Sequence, residues 1–342
     1  MAITDVSLLE VQDLHIEFKT LAGPVEPVSG VSFDIAPRET VAVVGESGSG
    51  KSVTALSVMG LLDGGRITSG RIACNGRELT NLGEKAMRSV RGSEIAMIFQ
   101  DPMTCLDPLY SIGNQLVETV RLHTDLNKKQ ATDRAAELLE QVGIPEPRTR
   151  LLSYPHQLSG GQRQRVMIAL ALACSPKLLI ADEPTTALDV TVEAQILELI
   201  RELQREYEMA LLLVTHDMGV VAEMADQVVV FYAGQVVEQG SVDDVLRNPK
   251  HPYTRALFEG IPTPTSDRSL PLIAIPGAVP SLGELPSGCR FHPRCRHAFD
   301  RCLSGDVPLF TVGNGRRESR CWLSENEAVS TELDQSNQMQ VV

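Results

Sequence analysis

The sequence predicts an α/β fold with a largely parallel sheet, and three observations support this. Short apolar runs at residues 41–44, 178–181 and 211–215 are typical of strands that are buried on both faces. A helical pattern at residues 192–207 separates the last two runs, which gives the strand and helix alternation of a parallel sheet. The first run leads through a glycine-rich loop into apolar residues at helical spacing.

Further elements extend this core on both sides. Residues 8–18 and 31–35 alternate in part between apolar and polar side chains, so we expect antiparallel strands at the start of the chain. Residues 114–142 carry apolar side chains at helical spacing, and after several prolines a further helix is expected at 161–173. A helical insertion at about residues 106–165 fits this pattern.

Composition divides the chain into three parts. The α/β unit with its insertion covers residues 1–255. Eight of the 20 prolines lie between residues 262 and 308, where apolar residues follow neither a helical nor a strand period. Residues 256–323 are therefore expected to form an irregular appendage. Residues 324–342 are polar and acidic and are expected to be a disordered tail.

The charge and hydropathy of the chain limit its partners. A net charge of -13 disfavours duplex DNA as a partner and means that a polyphosphate must be held by a local site. The apolar runs are far shorter than the ~20 residues that span a bilayer. Residues 1–5 have neither the basic start nor the apolar stretch of a secretory signal, so we expect a cytoplasmic location, where thiols stay reduced.

A phosphate-binding loop is predicted between the first buried strand and its helix. Its residues are Gly45, Glu46, Ser47, Gly48, Ser49, Gly50, Lys51 and Ser52. Glycines let successive backbone N–H groups point at phosphate oxygens, and the helix N-terminus adds its positive end. We expect Lys51 to reach the β- and γ-phosphates and Ser52 to bind Mg²⁺. The strand and helix on either side argue against an incidental glycine-rich turn.

Two carboxylates follow the strand predicted at residues 178–181. Asp182 would lie at the carboxyl edge of the sheet, where ligands of open α/β sheets gather, and could hold Mg²⁺ through water. Glu183 would orient or deprotonate the attacking water. An isolated Asp-Glu pair is more often a solvated strand end, but the phosphate-binding loop reverses that preference.

A second glycine motif identifies a family. Residues 158–162 read Leu-Ser-Gly-Gly-Gln and resemble the signature motif of ABC ATPases. The resemblance continues in order with a Q-loop at residues 99–101, a D-loop at 187–189 and a switch histidine. It assigns nucleotide contacts to Ser159, Gly160, Gly161, Gln162 and Asp189. It assigns to His216 a catalytic γ-phosphate contact that supports Glu183, and to Gln100 Mg²⁺ and catalytic roles.

The resemblance also implies a second ATPase subunit. The signature residues begin a helix of the insertion and cannot fold onto their own phosphate-binding loop, so they would serve the ATP of a partner in a head-to-tail dimer. The partner could be a paralogue or a copy of this chain. Phe18 matches the position at which the family stacks an aromatic ring on adenine, although a phenylalanine that ends an amphipathic strand could equally be a core residue.

Residues 99–108 narrow the resemblance to the bacterial oligopeptide, dipeptide and nickel importers. Cys105 and Asp107 stand where those proteins usually have Ser and Asn, near the expected contact with the membrane subunit. Residues 248–255 resemble the same importers. The resemblance implies ATP-driven import of peptides, nickel chelates or glutathione-like solutes, with two transmembrane permease subunits and an extracytoplasmic binding protein. The chain would lie at the cytoplasmic face of the inner membrane.

Four cysteines crowd into the appendage, namely Cys289, Cys295, Cys302 and Cys321. Their spacing differs from the paired Cys-x-x-Cys knuckles of most structural zinc sites. A segment that buries so little apolar surface needs another source of stability, which a metal centre can supply. The importer resemblance implies a 4Fe-4S cluster held by four thiolates, with zinc and no metal as the alternatives and His292 and His297 as substitute ligands.

Two other function classes are alternatives to ATP-driven import. A non-transport ABC ATPase that acts on nucleic acid or ribosomes would be expected to carry coiled coils or a second cassette, and this chain has one acidic cassette. A regulatory module without hydrolysis would be expected to lack Glu183 or a signature residue. Both are present.

Overall fold

The computed structural model describes residues 7–21, 23–101, 105–186, 188–260, 275–313 and 316–325. Several sequence predictions lie outside these residues. They concern the N-terminal five residues, positions 102–104 of the Q-loop segment, position 187 of the D-loop, the first part of the proline-rich stretch and the tail beyond 325.

The strands of the described residues form two sheets. They are β1 Leu9–Thr20, β2 Gly23–Ile35, β3 Thr40–Val44, β4 Gly65–Cys74, β5 Arg77–Glu78, β6 Ile95–Ile98, β7 Leu178–Asp182, β8 Ala210–Val214, β9 Gln227–Tyr232, β10 Gln235–Ser241, β11 Phe310–Thr311 and β12 Glu318–Ser319. Among the described residues, the smaller sheet has the order β2-β1-β4-β5 and is antiparallel. The larger has the order β11-β12-β10-β9-β3-β8-β7-β6.

The larger sheet carries the predicted phosphate-binding loop and the two carboxylates that the sequence places beside it. Strands β9, β3, β8, β7 and β6 run parallel, so the carboxyl ends of β3, β7 and β8 meet at one edge. Strand β10 pairs antiparallel with β9, and β12 of the appendage pairs antiparallel with β10. The appendage therefore continues the main sheet at its edge instead of hanging free.

The helices follow the predicted alternation. They are α1 Lys51–Val58, α2 Glu84–Val90, α3 Ile112–His123, α4 Lys128–Gln141, α5 Pro147–Arg150, α6 Gly160–Ala171, α7 Val190–Tyr207, α8 Met218–Met224, α9 Val242–Arg247 and α10 Pro252–Glu259. Short 3₁₀ turns lie at Pro155–Gln157, His292–Arg294, Asp300–Leu303 and Trp322–Ser324. None of the helices in the described part of the chain combines the length and the apolar character that crossing a membrane requires.

Two helical patterns differ from their expected extent. The apolar spacing after the phosphate-binding loop continues to Leu62, but α1 ends at Val58 because Gly60 turns the chain with φ +62°. The pattern at residues 114–142 is two helices. Asn127 begins the second one with a capping box, in which its side chain accepts from the backbone N–H of Gln130.

Among the residues that the structure describes, three apolar clusters hold the layers together. One joins α3, α4, α6 and α7 to one face of the parallel strands, and a second joins the antiparallel sheet and α1 to the other face. The third lies around β9 and β10 and takes in the fully buried Tyr253 and, from the appendage, Phe291. Because Phe291 packs edge-on against Tyr232 and Tyr253, the appendage is anchored to the core by an aromatic contact.

Candidate functional site

The loop at residues 45–52 joins β3 to α1, and glycine is required at two of its positions. Gly45 has φ +149°, and a Cβ there would lie 2.2 Å from the carbonyl oxygen of Phe231. Gly50 has φ +102°, and a Cβ there would lie 2.5 Å from the carbonyl oxygen of Pro27. Any side chain at either position would displace the backbone. The loop is thus pressed closely against two neighbouring segments.

The remaining loop residues differ in exposure. Ser47 and Gly48 are exposed at its tip, whereas Ser49 is buried and its N–H donates to the carbonyl oxygen of Glu46 at 3.2 Å. Among the described residues, the Ser49 hydroxyl has no hydrogen-bond partner. A buried polar atom without a partner has a free-energy cost, and a bound anion at this loop could remove it.

Lys51 points into the loop that precedes it. Its Nζ donates to the carbonyl oxygens of Gly45 at 2.8 Å and Glu46 at 3.1 Å. Burial lowers the pKa of Lys51, and the negative charges of Glu183 and Asp182 partly offset that effect. The ammonium group therefore lies between the loop backbone and the acids at the end of β7.

Asp182 is the last residue of β7 and contacts the start of α1. The Ser52 hydroxyl donates to Asp182 Oδ1 at 3.0 Å. Burial raises the pKa of Asp182, and the Ser52 hydrogen bond acts in the opposite direction. The two oxygens that the sequence assigns to Mg²⁺ are thus brought together, and hydroxyl and carboxylate oxygens are ligands that this ion accepts.

Glu183 follows in a left-handed conformation with φ +45°. Its Oε2 accepts hydrogen bonds from Gln100 Nε2 at 2.8 Å and from the Thr186 hydroxyl at 3.0 Å, and its Oε1 lies 3.2 Å from His216 Nδ1. Burial raises the pKa of Glu183, but hydrogen bonds from Thr186 and His216 outweigh it, so the pKa is lowered overall. Three residues predicted from separate motifs, Gln100, Glu183 and His216, therefore form one cluster.

The signature residues form a second helix start. Ser159 caps α6 in a capping box, because its hydroxyl accepts from the N–H of Gln162 and its own N–H donates to the Gln162 side chain. Asp189 caps α7 in a similar way. Gly161 lies so close to α7 that a Cβ would be 2.8 Å from Val192 Cγ1, and Gly160 faces Leu188. Within the described residues, no hydrogen bond or ion pair joins residues 159–162 to the loop at 45–52.

The four cysteines of the appendage line one cavity together with His292 and His297, namely Cys289, Cys295, Cys302 and Cys321. Burial, and then the proximity of the other three thiols, raises the pKa of Cys321 to about 12. In the part of the chain that the structure describes, no group of three or more His, Cys, Asp or Glu side chains could hold a metal ion. The convergence of the thiols is therefore observed, whereas a bound cluster or zinc ion has no direct support.

Comparison with known proteins decides the family. Residues 28–186 match the family described as ABC transporter, and residues 237–302 match the oligopeptide/dipeptide transporter C-terminal region. The chain is 49% identical over 317 residues to the dipeptide transport ATP-binding protein DppD of Escherichia coli K12, covering 92% of this chain and 96% of that protein. It is 50% identical over 323 residues to the oligopeptide transport ATP-binding protein AppD of Bacillus subtilis 168, covering 94% and 98%. The chain belongs to the family of ABC transporter ATP-binding proteins.

Solved structures of ABC ATPases share its fold. The ATP-binding cassette MJ0796, in a dimeric post-hydrolysis state with ADP and Pi, matches with a TM-score of 0.62 at 28% identity, covering 68% of this chain and 98% of that one. The CbiO1 protein of Clostridium perfringens matches with a TM-score of 0.61 at 29% identity, covering 71% and 91%. The predicted ABC ATPase fold is confirmed, and the peptide-transporter relatives do not support the nucleic-acid alternative.

Phe18 of this ABC ATPase lies near the end of β1 and is half-buried. A Cβ on Gly65 of the neighbouring strand would be 2.5 Å from Phe18 Cζ, so the ring lies directly over that glycine. The ring also packs at the margin of the apolar cluster around the antiparallel sheet. A role in stacking on adenine stays a prediction.

Three residues around the candidate ATP site of the ABC ATPase were not singled out from the sequence. Thr186 bonds to Glu183, Tyr253 Oη accepts from the N–H of Glu46 at 3.0 Å, and Arg294 donates to the Glu46 carboxylate. Thr186 could have been found by its spacing, since it closes the turn that Glu183 begins. Nothing in the sequence places Tyr253 or Arg294 beside Glu46, because they lie 207 and 248 residues from it along the chain.

Proposed function

We propose that the chain hydrolyses ATP to drive the import of peptides or related small solutes through an ABC transporter. The observation that carries this proposal is the position of Glu183. It lies one residue beyond the candidate Mg²⁺ ligand Asp182 and is oriented by Gln100, Thr186 and His216. Relatives named as dipeptide and oligopeptide transport ATP-binding proteins support the class of solute.

In this proposal each side chain at the sheet edge has one task. The loop amides and Lys51 bind the β- and γ-phosphates, and Mg²⁺ is held by Ser52, Gln100 and, through water, Asp182. Glu183 accepts a proton from the attacking water, for which its lowered pKa keeps it ionised at neutral pH. His216, which is exposed, turns from Glu183 toward the γ-phosphate.

A head-to-tail pair of ATPase subunits would complete the site. The start of α6 at Ser159 presents a capped helix N-terminus, and this is a favourable position for an anion. The phosphate-binding loop of the same chain is not bonded to it in the described residues. The signature residues Ser159 to Gln162 would therefore contact the γ-phosphate bound to a partner subunit, with Asp189 beside them.

The permease subunits would contact an apolar depression near the Q-loop. Its lining includes Met59, Met97, Phe99, Cys105 and Met167. Residues 99–108 are the segment for which the importer resemblance expects a membrane-subunit contact. The chain would thus attach peripherally to the cytoplasmic face of the membrane. An extracytoplasmic binding protein would deliver the solute to the permeases.

We infer that the cysteine cavity holds an iron–sulfur cluster and not a single zinc ion. The spacing of these four cysteines along the chain differs from the paired Cys-x-x-Cys knuckles of most structural zinc sites. A 4Fe-4S cluster spreads its thiolates over the corners of a cube, which suits four thiols around one cavity. Cys289, Cys295, Cys302 and Cys321 would hold it, and its contribution would be cohesion of the appendage.

The proposal is tested by Glu183→Gln in the complete transporter reconstituted in vesicles. The amide keeps the shape of the site but cannot take a proton from water. We expect ATP to bind while turnover and peptide uptake fall below about a tenth of the wild type. Glu202→Gln, at an exposed glutamate of α7, is the matched control and should retain both activities. Turnover above that level would show that Glu183 is not the catalytic base.

A further inference from the structure

The phosphate-binding loop contains a single acidic residue, Glu46, and the appendage holds it. Arg294 Nη1 donates to Glu46 Oε2 at 2.7 Å, and Arg294 Nη2 donates to Glu46 Oε1 at 3.1 Å. Two parallel hydrogen bonds of this kind fix the orientation of the Glu46 carboxylate and also place a positive charge beside it. Because Arg294 and Glu46 lie 248 residues apart along the chain, this contact links the appendage directly to the ATP site.

The side chain of Arg294 is buried and is held by several contacts. Its side chain is only 5% exposed, whereas that of Glu46 is 30% exposed. Arg294 Nε donates to the carbonyl oxygen of Pro276 at 2.8 Å, and the guanidinium lies 5.8 Å from the centre of the Tyr232 ring. A buried guanidinium with these partners has little freedom to leave. The ion pair is therefore a fixed feature of the loop.

The backbone of Glu46 is held as well. Its N–H donates to Tyr253 Oη at 3.0 Å, and Tyr253 is fully buried beside Tyr232 in the aromatic cluster of the appendage contact. The carbonyl oxygen of Glu46 accepts from Lys51 Nζ. The first turn of the loop is thus positioned from outside by residues that follow the parallel sheet in the chain.

The charge of Glu46 matters for the ligand of this loop. A carboxylate next to a bound triphosphate repels it, and partial burial of the site limits screening by water and salt. Pairing with a guanidinium removes most of that repulsion. Without its partner, the same carboxylate would oppose the ligand that the loop is shaped to bind.

We propose that Arg294 is a positioning residue for ATP: by neutralising Glu46 and fixing the first turn of the phosphate-binding loop, it lets the appendage set the affinity of this loop for ATP. This inference rests on the proposal that residues 45–52 bind ATP. It adds a residue outside the nucleotide-binding unit to the determinants of that binding.

The experiment measures Mg-ATP, Mg-ADP and adenosine binding to the purified full chain by calorimetry. For Arg294→Ala we expect the Kd of ATP to rise about tenfold, with a smaller rise for ADP and none for adenosine, because repulsion by Glu46 grows with ligand charge. Raising the salt concentration should reduce the difference in the Kd of ATP between Arg294→Ala and the wild type. The double variant Arg294→Ala/Glu46→Gln should regain most of the lost affinity, since the unpaired charge is gone.

Arg316→Ala is the matched control. Arg316 also joins the appendage to cassette carboxylates, those of Asp34 and Glu39, but it lies away from the loop. It should leave the Kd of ATP within about twofold of the wild type. An equal loss of affinity in both arginine variants, a loss that adenosine shares, or a double variant as weak as Arg294→Ala would overturn the inference.

A Lys51→Ala variant separates this inference from the proposal beneath it. If the wild type does not bind ATP, or if Lys51→Ala binds it equally well, residues 45–52 are not the ATP site and the proposed function fails. If Lys51→Ala abolishes binding while Arg294→Ala binds ATP as the wild type does, the ATP site stands and only the role of Arg294 is refuted.

Discussion

Adjacent carboxylates at the end of β7 have opposite electrostatic environments. Burial raises the pKa of Asp182, whereas hydrogen bonds from Thr186 and His216 outweigh burial and lower the pKa of Glu183. Pairs of acids whose surroundings separate their pKa values commonly divide two chemical tasks. Here the lowered pKa keeps Glu183, the proposed base, ionised at neutral pH.

A buried histidine gives the fold a dependence on pH. His251 begins α10, its Nδ1 accepts from the N–H of Tyr253 at 3.1 Å, and burial lowers its pKa to about 3. An unfolded chain binds a proton at this histidine near pH 6.5, and the folded chain does not. The contribution of His251 to stability is therefore fully present above about pH 6.5 and is lost progressively as the pH falls toward 3.

We expect the free energy of unfolding to fall by about 2 kcal/mol between pH 7.5 and pH 5 because of His251 alone. His251→Asn keeps an acceptor for the start of α10 but removes the titrating ring. Over the same pH range, the loss of unfolding free energy measured by urea unfolding should therefore be about 2 kcal/mol smaller in this variant than in the wild type. His156→Asn, at an exposed histidine, is the control. The idea fails if His251→Asn and the wild type lose stability in parallel.

The appendage combines elements that the sequence predicted with others that it did not. Its irregular composition is reflected in the 3₁₀ turns at His292–Arg294 and Asp300–Leu303. The two-residue strands β11 and β12 were not predicted, because so short a segment carries no period and is extended only through pairing with β10. Clustering of the cysteines was visible in the sequence, and their convergence on one cavity required the fold.

The cluster proposal makes the appendage dependent on its thiolates. Protein purified without oxygen should be brown, absorb broadly near ~400 nm and contain about four irons per chain. Cys295→Ser should lose the colour and become sensitive to protease between about residues 262 and 322, because the binding free energy of the metal centre is also folding free energy. Cys174→Ser, outside the cavity, should change neither property.

Metal analysis separates the alternatives for this segment. One zinc and no iron per chain would refute the iron–sulfur cluster, but a metal ion would still stabilise the appendage. Metal-free protein with an appendage that resists protease would refute both, and the aromatic contact of Phe291 with Tyr232 and Tyr253 would then account for its order.

At the scale of the whole molecule, one chain has half of each proposed site. The loop at residues 45–52 and the acids after β7 lie at the sheet edge, and the signature residues begin α6 in the helical insertion. Two chains in head-to-tail contact would place each half against its complement. The relative captured as a dimer with ADP and Pi, MJ0796, has the same cassette fold.

We therefore expect the isolated chain to be a poor ATPase, to be monomeric in the absence of nucleotide, and to associate when ATP binds. Light scattering on Glu183→Gln, which should bind ATP without consuming it, measures this with and without Mg-ATP. Lys51→Ala should stay monomeric under both conditions. Full ATP turnover by a strictly monomeric wild type would refute the shared site.

The sequence by itself determined the parts of this protein whose residues are neighbours in the chain. The phosphate-binding loop, the Asp182–Glu183 pair and the signature motif are each within eight consecutive residues, and local geometry is enough to give them their shape. The tertiary structure decided which distant groups meet: Gln100 and His216 at Glu183, and Arg294 at Glu46. Such contacts are created by the order of strands in a sheet, and no spacing along the chain encodes them.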